Sequence, residues 1–271
     1  MDTVNRTSGY TRSVLVAVGL IIAGFIAQTF ASLPAVLVDP QVAEAPLETS
    51  YEVRALYLIP QFIGFVVVGG AYLQWTGRGL GFVDLSIPSI RQSIIGIVGV
   101  VGSIAFVMVA GVVIQVIGIE ATSNQILQFV GEDPTMVLIM IVIVFLFNAP
   151  AEEFLFRGII QKRLYEAFTK PQAIVVTSAI FGLVHVPIYL VSGQPLVGTF
   201  ASILIVAGAA VIFGYLYAIT DNLFVPIAAH AGYNAFQFGL LYLALKYGNE
   251  ELIEEATSIV VTVLETGSIL L

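Results

Sequence analysis

Cysteine is absent from this 271-residue chain, and histidine occurs only as His185 and His230. The first absence excludes disulfides, thiolate metal sites and a cysteine nucleophile. The scarcity of histidine excludes a three-histidine metal centre within one chain. Charge is also sparse. Asp, Glu, Lys and Arg make up 10% of the residues, against roughly a quarter in soluble domains. Lysine is limited to Lys162, Lys170 and Lys246, and the net charge is −8. That acidic balance argues against nucleic-acid binding. It fits either acidic outer loops or a surface adapted to high salt.

Apolar residues are abundant: 58% of the chain is hydrophobic and its mean hydropathy is +0.99. Apolar stretches long enough to cross a bilayer as helices recur along it. The expected fold is all-α, a polytopic transmembrane bundle forming a single integral-membrane domain over residues 1–271. Seven spans are read, at about 13–38, 55–75, 93–118, 135–156, 173–192, 198–220 and 222–246. The fourth could run on as helix to about Tyr165. The tail from Asn249 to Leu271 reads as an interfacial amphipathic helix or an eighth, half-buried element. The first span lacks a clear small-residue cleavage site and reads as retained.

Basic residues set the expected orientation. Arg6 and Arg12, then Arg78 and Arg91, then Arg157, Lys162, Arg163 and Lys170 fall on one side, while Asp39, Glu44, Glu48, Glu52, Glu120, Glu132 and Asp133 fall on the other. The N-terminus is therefore expected in the cytoplasm, with the chain in the plasma membrane.

Ionisable groups inside a membrane are costly and need a reason. Here they gather on three spans: Glu152, Glu153 and Arg157 on the fourth, His185 on the fifth, His230 and Asn234 on the seventh. Glu153 and Arg157 are four apart, as are His230 and Asn234, so each pair shares a helix face. Glu152 points about 100° away from Glu153. Spacing therefore pairs Glu153 with Arg157 and leaves Glu152 for chemistry. At 1.5 Å per residue, His185 and His230 lie roughly 18 Å and 12 Å from the inner ends of their spans. Pro150, Pro187 and Pro226 stand beside these residues, and a proline within a helix frees a backbone carbonyl and bends the axis. Glu152, His185, His230 and Asn234 are expected to line one hydrated cavity open to the inside.

A carboxylate beside a histidine can deprotonate water for attack on a carbonyl. A second histidine with an amide one turn later can donate to the developing oxyanion. Alternatively, Glu152, His185 and His230 could be three zinc ligands with an open position for water. The soluble H-E-x-x-H pattern is absent.

Three motifs occur in order: Glu152-Glu153-Phe154-Leu155-Phe156-Arg157, then Phe181-Gly182-Leu183-Val184-His185, then His230-Ala231-Gly232-Tyr233-Asn234. Over about residues 135–246 the chain resembles the CPBP intramembrane proteases, which include the Ras-converting type of CAAX prenyl endopeptidase (Abi-like proteins among them). The resemblance implies an intramembrane endopeptidase, a hydrolase, acting on peptide or lipidated protein substrates, prenylated CAAX proteins among them. It implies that Glu152 and His185 activate water and that His230 and Asn234 stabilise the oxyanion. Glu153 and Arg157 would hold the helix, and Phe181 would shape the pocket wall. It leaves open a zinc metalloprotease or a metal-free glutamate mechanism. The alternative class is a non-enzymatic membrane protein, either a proton or cation relay or an immunity or scaffold protein.

Overall fold

The computed structural model describes residues 2–119, 129–187 and 196–248, with side chains from Gly9 onward. Among the described residues, regular structure is entirely helical. Seven principal helices follow the chain: α1 (Asp2–Val38), α2 (Tyr51–Trp75), α3 (Ile90–Val116), α4 (Pro134–Leu164), α5 (Lys170–Leu183), α6 (Leu196–Thr220) and α7 (Phe224–Tyr247). Five of them, α1, α2, α3, α4 and α6, are long and apolar enough to cross a membrane.

The other two expected spans differ from that reading. α7 has 24 residues, but His230, Asn234 and Gln237 dilute its apolar character. α5 covers 14 residues and stops at Leu183; a turn at Val184 and His185 follows, closed by His185 N donating to the Gly182 carbonyl. Helix resumes at Val186 and Pro187, and a proline in the first turn of a helix is tolerated because its missing N–H would have no partner there. Residues 188–192 of the expected fifth span and the whole expected tail element lie outside the described residues.

Local chemistry marks the helix ends. Ser50 caps α2, and Ser89 with Gln92 forms a reciprocal capping box at α3. Asp133 caps α4 just ahead of Pro134, and the Tyr51 hydroxyl donates to the same carboxylate, holding it below the usual carboxylate range. α3 ends in a Schellman turn: Gly118 N donates to Gln115 O and Ile119 N to Ile114 O, with Gly118 at φ +73°.

α4 occupies the centre, against α2, α5, α6 and α7. Every residue from Leu155 to Gln161 is buried, so helices rather than lipid surround its polar groups. Outside it, α1 packs on α2, α5 on α6 and α3 on α7. Small residues permit these approaches. A Cβ at Gly64 of α2 would lie 2.8 Å from the backbone nitrogen of Gln28 on α1, and one at Gly182 would lie 2.9 Å from the Ile203 carbonyl.

Gly64→Ala is therefore expected to push α1 from α2 and destabilise the protein by about 1–3 kcal/mol. A Cβ at Gly70, on the same helix, would meet nothing within 4 Å, and Gly70→Ala is expected to be nearly neutral. Thermal unfolding of both variants in one detergent checks the contrast; equal transitions would contradict the close crossing.

Candidate active site

α4 is not a uniform helix where it carries the first motif. Wide π-helical stretches, Val144–Asn148 and Phe154–Gln161, flank a short α-helical piece, Ala149–Glu153. Such π-turns are uncommon and occur mostly at functional sites. The first lies directly before Pro150, whose ring in a regular helix would strike the carbonyl of Leu146. Pro226, by contrast, sits in the first turn of α7, where the missing N–H would have no intrahelical partner anyway. The kink expected there is not required.

The adjacent glutamates face different surroundings. Glu153 is fully buried. Its Oε1 lies 3.1 Å from Arg157 Nη1 and accepts from His230 Nδ1 at 2.9 Å. Arg157 Nη2 donates to the Ala210 carbonyl of α6 at 3.1 Å, and its guanidinium lies 4.8 Å from the ring centre of Phe181 and 5.8 Å from that of Phe213. Phe213 also stacks on His230, with ring centres 4.9 Å apart and planes at 15°. The polar face continues down α4 at four-residue intervals. Gln161 Nε2 donates to the Gly214 carbonyl at 2.9 Å and to the Tyr165 hydroxyl at 2.7 Å. Ala210 and Gly214 are small, which lets these donors reach the α6 backbone; a Cβ at Gly214 would meet Gln161 Oε1 at 2.8 Å.

Glu152 faces a cavity of about 260 Å³ that it shares with His185, Phe156 and Phe181 of the motif-bearing helices. Asn148 Nδ2 donates to Glu152 Oε1 at 2.9 Å, while Glu152 Oε2 has no hydrogen-bond partner among the described residues. His185 Nδ1 lies 2.6 Å from the Phe181 carbonyl. A carbonyl only accepts, so Nδ1 carries the proton and Nε2 of the neutral ring is left as an acceptor.

His230 and Asn234 do not line this cavity. His230 stands on Glu153. Asn234 Nδ2 donates to Asn148 Oδ1 at 3.0 Å and so reaches Glu152 through one intermediate. Both residues are completely buried. The expectation of four residues on one cavity wall is thus met by Glu152 and His185 alone. The three candidate zinc ligands do not converge either: no group of three or more His, Asp or Glu side chains suited to a metal occurs among the described residues. A three-ligand zinc centre does not fit this arrangement.

The expected opening toward the basic side also differs from the lining. On α1 the wall runs from Phe25 to Ser32, toward the Val38 end and its acidic loop. Toward the basic side the helices pack closely at two points. Val83 and Leu223 press on Gly158, and Tyr10 lies on Phe168 with ring centres 4.7 Å apart.

Asn148 is a residue that the sequence reading passed over. Its signal was available: it stands four residues before Glu152, the spacing that paired Glu153 with Arg157. Gln28 and Gln61, amides on spans taken as nearly free of such groups, were missed as well; both line the cavity.

Arg157→Met should leave Glu153 buried with only His230 beside it and cost about 3–5 kcal/mol. Adding Glu153→Gln removes the stranded charge and should restore much of that loss. The checking measurement is thermal stability of the two variants and the parent; a double variant no more stable than Arg157→Met would count against the pair as the source of the effect.

Residues 134–236 match the family described as type II CAAX prenyl endopeptidase, Rce1-like. No curated protein and no solved structure matches the chain. The matched segment contains Glu152, Glu153, Arg157, His185, His230 and Asn234, and over that segment the chain is similar to the Rce1-like family.

Proposed function

We propose that this protein is an endopeptidase that hydrolyses membrane-associated peptides with water activated by Glu152 and His185. One observation carries the reading: both side chains face the same cavity, each with one polar atom anchored and another left for chemistry. A water between Glu152 Oε2 and His185 Nε2 can lose a proton to the carboxylate as its oxygen bonds to the substrate carbonyl carbon. The carbonyl π electrons move to oxygen and give a tetrahedral oxyanion. On collapse the C–N bond breaks, and the proton held by Glu152 passes to the departing amine. No metal enters these steps.

The oxyanion role implied for His230 and Asn234 gains no support from the cavity lining. Their contacts support positioning roles. Asn234 holds Asn148, which holds Glu152, and Glu153 orients the His230 ring. An imidazole that donates through Nδ1 can also donate through Nε2 only when doubly protonated, and a carboxylate at Nδ1 stabilises that form. Helices α1 and α5 both border the cavity without packing along each other. A cavity bordered by membrane-spanning helices suits a substrate already in the membrane, prenylated CAAX proteins among them. The plasma membrane and a cytoplasmic N-terminus remain the proposed setting, on the asymmetry of the basic loops.

The test is cleavage of a lipid-anchored fluorogenic peptide by purified protein in bilayers, beside a liposome proton-flux assay. Glu152→Gln and His185→Ala should each abolish cleavage with folding intact. Proton flux without cleavage would favour the relay class instead. Asn148→Ala and Asn234→Ala should each lower kcat with little change in KM. If Asn234 acts through Asn148, the double variant should be no slower than the worse single one. A direct oxyanion donor would instead cost about 10²–10³ on its own, and the two losses would multiply. Metal content measured in the same preparations should not track activity.

A further inference from the structure

The cavity wall opposite Glu152 and His185 comes from α1 and α2 and carries two amides, Gln28 and Gln61. Their adjacency follows from the close crossing at Gly64, where the Gln28 backbone comes so near that a side chain on residue 64 would strike it. The polar groups around them are already spent. Thr29 Oγ1 donates to the Phe25 carbonyl at 3.0 Å and Ser32 Oγ to the Thr29 carbonyl at 2.9 Å, both within their own helix. Gln61 Nε2 donates to the Tyr57 carbonyl at 3.0 Å. The Gln61 side-chain oxygen and the whole Gln28 carboxamide have no protein hydrogen-bond partner among the described residues. An amide within a membrane span carries a desolvation cost that a partner in the cavity offsets.

No cationic side chain lines the cavity among the described residues; residues 120–128, 188–195 and 249–271 contain no Lys or Arg, and Arg6 stands about six helical turns before Gln28 on α1. Arg157 is committed to Glu153 and the Ala210 carbonyl. Arg54, two turns before Gln61 on α2, donates to the Phe129 carbonyl at 2.7 Å and lies 5.0 Å from the centre of the Tyr51 ring. A free carboxylate would therefore enter this cavity without a counter-ion. A carboxamide, by contrast, matches both polar groups of a peptide unit: its oxygen accepts from the N–H and its NH2 donates to the carbonyl.

We propose that Gln28 and Gln61 form a backbone-recognition clamp, which holds an extended, uncharged internal peptide segment across from Glu152 and His185 and makes no use of a terminal carboxylate. This rests on the peptidase reading above and assigns that site its substrate class. Selectivity would then come from the backbone and from apolar neighbours such as Phe25, Tyr57 and Phe65.

Binding separates this inference from turnover. The full chain carrying Glu152→Gln, in nanodiscs, is titrated with an N-terminally acylated, fluorescent hexapeptide of uncharged residues, ending in a carboxylate or in an amide. The two peptides should bind within about twofold of each other. Gln28→Leu and Gln61→Leu should each weaken binding by about three- to tenfold, the size of one net hydrogen bond. Thr29→Val, on the same wall but with its hydroxyl already bonded, should change nothing. Variants with the parent's thermal transition are compared. Unchanged binding in both glutamine variants overturns the clamp. A tenfold preference for the carboxylate that Arg54→Gln abolishes also overturns it, in favour of terminal recognition. If the glutamine effects appear but the protein with Glu152 intact cleaves neither peptide, the clamp stands and the peptidase reading falls.

Discussion

The Glu153 carboxylate, fully buried between Arg157 and His230, is the constraint on which the other arrangements depend. A carboxylate out of water is tolerated only with a well-placed partner and with its remaining contacts met. Here the partners gather on one oxygen: Oε1 meets an arginine on the same helix and a histidine from α7, a backbone carbonyl from α6 and two aromatic rings from α5 and α6 surround the guanidinium, and Oε2 has no hydrogen-bond partner among the described residues. Four helices are thereby fixed in position by one charged group. Apolar packing alone would not do this in a bilayer, because helix surfaces and lipid tails are equally apolar.

Two adjacent glutamates can then differ in role because they differ in surroundings. Glu153 spends its charge on structure. Glu152, one residue earlier and on another face, lines a cavity and has a single amide donor, Asn148, at one oxygen and no hydrogen-bond partner at the other among the described residues. The π-turns on either side of the pair are consistent with this division. They let a proline sit two residues before Glu152, and they carry Arg157 and Gln161 to the small-residue face of α6.

Much of this was legible in the sequence because polar residues are rare in it. When a span holds few ionisable groups, each must be paired or used, and four-residue spacing named Glu153 with Arg157 before any coordinates. The helix count was less legible. Apolar length marks spans α1, α2, α3, α4 and α6, but α5 and α7 bear the histidines and lose the uniform apolarity by which spans are recognised. Contacts across helices were not legible at all. Nothing in the spacing of α7 says that His230 meets Glu153 instead of the cavity, or that Asn234 meets Asn148, since those pairings depend on how α4 and α7 rotate against each other. Uncharged amides escaped for another reason: Gln28 and Gln61 bear no charge and have no charged neighbour at helical spacing, although an unpaired carboxamide at that depth demands a partner too.

The cavity also follows from packing that stops short. Gly64 brings α1 tightly onto α2, and Gly182 brings α5 tightly onto α6. Each outer helix is thus held to a different neighbour, α1 to α2 and α5 to α6. The cavity bordered by α1, α2 and α5 lies at the face of α4 that carries Glu152, while the face carrying Glu153 is covered by α6 and α7. In the proposed hydrolysis, filling that cavity with larger residues on α1 would shield Glu152 from substrate and water alike. The proposed reading therefore depends on this cavity, which gives a carboxylate buried among helices a place to meet water and substrate.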